Sequence, residues 1–303
     1  MRLEDILMLD HYEYLTVAVD FVLFVVIMTV IGKVIGMVAN VSSIHELSEN
    51  DNASFGVSFA GALLAVAIMM TGAVSGEATI SLVYEAGIVS AYGLLGITLM
   101  MLTRYLFDRW ALPRIAIHEH ILAGNLAAAI IDAGNMIATA VVIRAVMIWV
   151  DSESFSGLSI VLAGFLFSQL VMIAVTRYRQ YVYRRRHQGQ FLQEAFAKGN
   201  IAVALRYFGH RVGAGLAITA ASGIARYNDG QAYFSALVWA LVSVVVVALM
   251  SLLAIAARRL ILSKVDIAEE VGRQQNTAIG LIEGTIYIIL GIILAALFGA
   301  PTD

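Results

Sequence analysis

The chain has 303 residues, of which 60% are hydrophobic and only 14% charged, with a mean hydropathy of +0.86. A soluble domain carries about a quarter charged residues, so this composition excludes an ordinary water-soluble fold. The net charge is −3 and there is no cysteine, which rules out disulfides, thiolate metal sites and cysteine nucleophiles.

Stretches 86–103, 154–176 and 230–257 run without a charge. Uncharged apolar runs of about 18 residues or more are long enough to cross a bilayer as helices, where the backbone must satisfy its own hydrogen bonds. The first predicted helix covers 14–39 and is interrupted by Lys33. It follows an acidic start with Glu4, Asp5, Asp10 and Glu13, unlike a cleavable signal, and is expected to stay in the mature protein. Ile44-His45-Glu46 and Asn52 then lead into a second helix, 53–75. The third, 79–106, carries Glu85 and ends at Arg104. Ile117-His118-Glu119 and Asn125 open the fourth, 124–150, which holds Asp132 and Arg144. The fifth, 155–182, runs into Arg177, Arg179 and Arg184–Arg186. Leu192-Gln193-Glu194 and Asn200 open the sixth, 200–224, which is broken by Arg206, His210 and Arg211. The seventh, 232–258, ends on Arg258 and Arg259; Ile267-Ala268-Glu269-Glu270 and Asn276 open the eighth, 276–299, with Glu283 inside.

The repeated pattern is Glu-x5-Asn-x3-small, with asparagines 73, 75 and 76 residues apart and Gly56, Ala129, Ala204 and Gly280 four residues after them. Glu270 has the spacing in the fourth copy, but Glu269 fits its flanking residues better, which suggests a one-residue insertion. Two spans per copy give every copy the same orientation. The predicted fold is therefore an all-α membrane protein of about eight transmembrane helices, arranged as four parallel-repeat helical hairpins. Asp132 and Glu283 both stand seven residues after their asparagine, where the first and third copies have Phe59 and Tyr207. That alternation predicts a four-helix unit duplicated once, 1–150 and 151–303. Most of the 19 lysines and arginines fall in the connections 3–4, 5–6 and 7–8. The positive-inside rule puts those loops in the cytoplasm and both termini outside.

Asn52/Gly56/Gly61, Asn125/Ala129/Gly134, Asn200/Ala204/Gly209 and Asn276/Gly280/Gly284 resemble the YjfL-like family of uncharacterised bacterial inner-membrane proteins. The resemblance implies two tandem family domains and a multi-pass location in the bacterial inner membrane, with a hint of membrane-stress partners. It implies no reaction.

Candidate functional residues fall into two sets. Asn52, Asn125, Asn200 and Asn276 are either helix caps or, with Asp132, Glu283, Arg206 and His210, the lining of a polar pathway. A charge inside the bilayer is costly and needs a partner or water. Arg206 or Arg211 pairing with Asp132 or Glu283 would lock the bundle, whereas an ion or proton relay would use His210 as its titratable group. Glu46, Glu119, Glu194 and Glu270 are either exposed partners of loop arginines or a cytoplasmic mouth that concentrates cations. The pairs His45/Glu46 and His118/Glu119 offer zinc-type donors without a closed motif, so no metal and no cofactor is expected. The Arg184–Arg186 run next to a membrane helix reads as a topology signal or an anionic-lipid contact, not as a nucleic-acid site. No nucleophile–base motif is present. The expected function is a non-enzymatic channel or facilitator for a small ion or polar solute, with a homo-oligomer among its states. The competing reading is a membrane scaffold that recruits cytoplasmic partners.

Overall fold

The computed structural model of the protein describes residues 11–38, 42–75, 81–150 and 155–299; the side chains of Lys33 and Glu85 lie outside the described residues. The described residues are helical throughout. The long helices are α1 (His11–Val38), α3 (Ala53–Ala73), α4 (Leu82–Leu106), α6 (Leu126–Val150), α7 (Leu158–Arg186), α9 (Ile201–Thr219), α11 (Ala232–Ile261) and α12 (Thr277–Phe298). Short helices α2 (Ser43–Ser48), α5 (Ile117–Leu122) and α8 (Leu192–Ala197) precede α3, α6 and α9, and α10 (Ala221–Ile224) follows α9. A π-helical turn, Ala268–Arg273, takes the place of a short helix before α12. A π turn accommodates one extra residue, which matches the insertion read from the Glu269-Glu270 pair.

Six of these segments are long and apolar enough to cross a membrane: α3, α6, α7 and α12, together with α4 and α11 extended by their adjoining turns. This is consistent with a multi-pass membrane protein. The other two expected spans fall short for identifiable reasons. The 19-residue α9 carries Arg206, His210 and Arg211, and the apolar stretch described in α1 is only Leu15–Val30.

Helices α3, α6, α9 and α12 pack in a row, each against the next, while α1, α4, α7 and α11 flank them. Small residues set the spacing within the row. A Cβ on Gly61 would fall on Ala133, one on Gly134 would reach Phe208, and one on Gly209 would fall on the Gly284 backbone. Bare backbone at these points lets membrane helices approach closely, and this approach replaces the missing hydrophobic drive between helices in lipid. The tightest contact is between α9 and α12, where Gly209, Gly213, Gly280 and Gly284 all face neighbouring backbone. Away from the row, Leu249, Leu252, Ile292 and Leu297 remain exposed, an apolar surface suited to lipid rather than water. At the end away from α2, α5 and α8, Trp149, Trp239 and Tyr227 cluster, and the Trp149 indole donates to Ala225 O.

Candidate functional site

Each of the four repeat asparagines begins a long helix and caps it. The Oδ1 atoms of Asn52, Asn125, Asn200 and Asn276 accept from the backbone N–H three residues on, at 3.0, 3.1, 3.0 and 3.4 Å. The residue before each has positive φ: Asp51, Gly124, Gly199 and Gln275. That turn swings the chain from the short helix into the long one.

The side-chain amides have a second task. Asn52 Nδ2 donates to the carbonyls of Ile121 and Leu122, 69 and 70 residues away. Asn125 does the same to Phe196 and Ala197, and Asn200 to Val271 and Gly272. Each of these three asparagines thus closes the carbonyl end of the next short segment, whose last carbonyls have no partner in their own helix. Two repeat glutamates join this frame: Glu46 accepts from Asn50 and Asn52, and Glu270 accepts from Asn276 at 2.8 Å. Glu119 and Glu194 lie exposed on α5 and α8.

Further along the helices, α6 and α12 bury one carboxylate each. Asp132, 3% exposed, accepts from Arg104 Nη2 at 2.6 Å and from Ser58 Oγ at 2.5 Å. Glu283, fully buried, is held between Arg206 Nε at 2.8 Å and Arg258 Nη1 at 3.0 Å. The two clusters share a plan. Ser58 and Arg206 both stand six residues after their asparagine, on the preceding helix of the row. Arg104 and Arg258 both reach in from the flanking helix. Arg211 is buried without a carboxylate in ion-pair reach among the described residues. It donates to Met172 O at 3.0 Å, to Thr176 Oγ1 at 3.3 Å and to Asn135 Oδ1. Arg179 lies over the Tyr287 ring, 4.6 Å from its centre.

Arg179 and Arg206 also border a cavity between α7, α8 and α9. Arg179, Arg186, Arg206, His187 and His210 line it together with Tyr183 and Tyr207, and no carboxylate does. Tyr183, Arg186 and His187 also line a wider groove between the loops, which Glu194, Asp266 and Glu269 share with Lys198 and Arg273, so the cavity lies beneath an opening of mixed charge at the basic-loop end. His210 is ten residues into its helix, about 15 Å at 1.5 Å per residue, which is half of a hydrocarbon core of about 30 Å. The residue is 2% exposed, its ring stacks edge-on to Tyr287, and neither ring nitrogen has a hydrogen-bond partner among the described residues. A buried polar group without a partner calls for an explanation, and a cavity lined by cations offers one.

Of the residues singled out in the sequence, Arg206 and Glu283 meet directly and His210 lines the same cavity. Asp132 lies in the other cluster, and the asparagines and glutamates sit at the short-helix end. Arg104, Arg258 and Ser58 were not singled out as carboxylate partners. The two arginines stand beside basic loops and read as topology signals, although each lies at the end of a helix that flanks an acidic span. Among the described residues, no three His, Asp or Glu side chains come together as a metal-binding group. No curated protein and no solved structure matches the chain. One family model matches twice in tandem, over residues 8–147 and 153–298, and the chain therefore belongs to the family described as Domain of Unknown Function (DUF350).

Proposed function

We propose that this is an eight-span protein of the bacterial inner membrane that binds a small anion or anionic solute and passes it through its second half. On this reading, α1 and α9 complete four parallel hairpins in two four-helix units, 1–150 and 151–303, as the YjfL-like resemblance implies. The basic loops face the cytoplasm and both termini face outward. The observation that carries the proposal is the cavity reaching from the loop end to His210, lined by Arg179, Arg186 and Arg206 and by no carboxylate. Rings of Arg and Lys suit anion pores, and guanidinium groups bind anions through short charge-assisted hydrogen bonds. Asp132 and Glu283 support no cation path in this reading, because both are spent on arginines.

Proteoliposomes under a salt gradient test it. The expected result is a diffusion potential of anion-selective sign. Arg179→Gln should reduce the flux several-fold while leaving thermal melting intact, since no carboxylate depends on Arg179. Cation selectivity would overturn the proposal. A folded protein with no flux of either sign would favour the scaffold, a reading supported by the pairing of Asp132 and Glu283 with arginines. Orientation is tested at Gln188, which turns the loop after α7 with positive φ. A cysteine there should resist an impermeant thiol reagent applied to intact cells, and ready labelling would reverse the topology.

A further inference from the structure

Within the chain, each copy of the Asn motif docks onto the next, and the series has two unfinished ends. At one end, Asn276 caps α12 and donates one amide hydrogen to Glu270. Asn52 also bonds its own glutamate, and it still uses its remaining hydrogen to latch onto Ile121 and Leu122. Among the described residues, no short helix follows α12 for Asn276 to latch. At the other end, the carbonyls of Ser48 and Glu49 occupy the place that Ile121 and Leu122 hold in the second copy, and among the described residues no asparagine precedes them to close them.

The helix faces tell the same story. Positions four and eight after the asparagine receive the preceding helix: Gly280 faces Ala202, Gly284 faces Leu205 and Gly209, and Ala133 faces Gly61. In α3 these positions are Gly56 and Ala60. Among the described residues, a Cβ on Gly56 would meet the Leu47 side chain of its own short helix, at 3.5 Å, and Ala60 is exposed. The face of α12 that would continue the row holds Ile282 at 41% exposure, Thr285, also exposed, and Ile289 at 49%. Thr285 stands where Gly61, Gly134 and Gly209 make the close approach in the other copies, so the contact would be somewhat wider than those within the chain.

We infer that a second copy of this chain completes the row: α12 of one molecule packs on α3 of the next, and Asn276 latches the carbonyl end of its α2. Such an interface is heterologous, so it closes into a ring or extends as a row according to the rotation per subunit. It reuses the interface that already joins α3 to α6, α6 to α9 and α9 to α12. It does not depend on the anion proposal.

The chain has no cysteine, so paired cysteines give a direct test. Ala60→Cys and Thr285→Cys in one chain, oxidised in native membranes, should give a ladder of dimers and larger species. Mixing the two single variants should give dimer alone. A ladder-free double variant would overturn the inference, and so would dimers from Ala60→Cys by itself, which would mean a symmetric α3–α3 contact. Ala60→Trp adds bulk at a site that is exposed in the single chain. It should leave melting unchanged and reduce the native mass in mild detergent to one chain. A wild-type mass of one chain, with α3 and α12 covered only by lipid, would also overturn it.

Discussion

The Asp132 and Glu283 clusters are the same device at different charge. In the first half, one arginine and one serine hold one carboxylate. In the second half, two arginines hold one carboxylate, because Arg206 replaces the serine. Among the directly bonded side chains the first cluster is neutral, with Asp108 beside it, whereas the second carries one excess positive charge, with Arg179 and Arg211 also nearby. A buried ion pair contributes little net stability, because desolvation offsets its Coulomb attraction. An excess buried cation is harder still to justify by stability. The surplus in the second half therefore points to a task other than folding, and the cavity beside Arg206 is where that task would be done.

The comparison fails most visibly if the carboxylates are removed. Glu283→Gln strands two nearly buried arginines and should cost about 3–5 kcal/mol, read as a lowered Tm in detergent and a reduced folded yield. Asp132→Asn strands only Arg104, whose side chain is 26% exposed and keeps Ser58 as a partner. That change should cost about 1–3 kcal/mol. Equal losses would mean that the charge surplus is not felt by the fold. Exchanging the distinguishing residue sharpens the point. Arg206→Ser gives the second half the plan of the first and, with Arg258 still on Glu283, should cost no more than about 1–3 kcal/mol. Anion flux should fall far more than stability; unchanged flux would remove Arg206 from the path.

The asparagine frame separates its last copy from the other three. Asn52→Ala, Asn125→Ala and Asn200→Ala each lose a cap worth about 1 kcal/mol and a latch worth roughly another. Asn276→Ala in the isolated chain loses the cap without a latch, so its Tm should fall about half as far. In the assembled protein it should also weaken the native oligomer. The smallest effect belongs to the exposed Glu269–Arg273 pair on the π turn. Hydrogen bonding to Arg273, and then to Gln274, holds the Glu269 carboxyl below its usual range. Its contribution is therefore present above the ordinary carboxylate range and is lost as pH falls through the lowered folded value. An NMR titration of Glu269 should move up toward the ordinary midpoint in Arg273→Gln, with Gln274 still bonded, and with no measurable change in Tm, as for exposed pairs generally.

The sequence alone determined what depends on near neighbours. Helix-length apolar runs, the caps at Asn52, Asn125, Asn200 and Asn276, and the extra residue around Glu269-Glu270 all follow from contacts within about one turn, so spacing reveals them. Tertiary structure decided the rest. The asparagine latches join residues about 70 positions apart and exist only once the helices stand in a row. Arg104 and Arg258 look like loop charges until packing brings an acidic helix within reach of their long side chains, which can lie along apolar surface while the charged head travels. Gly56 and Gly280 are the same residue in the same motif, yet Gly280 faces the backbone of Ala202 on the neighbouring long helix whereas Gly56 faces the Leu47 side chain of its own short helix. Only the position of each helix in the row, at its end or inside it, makes that difference.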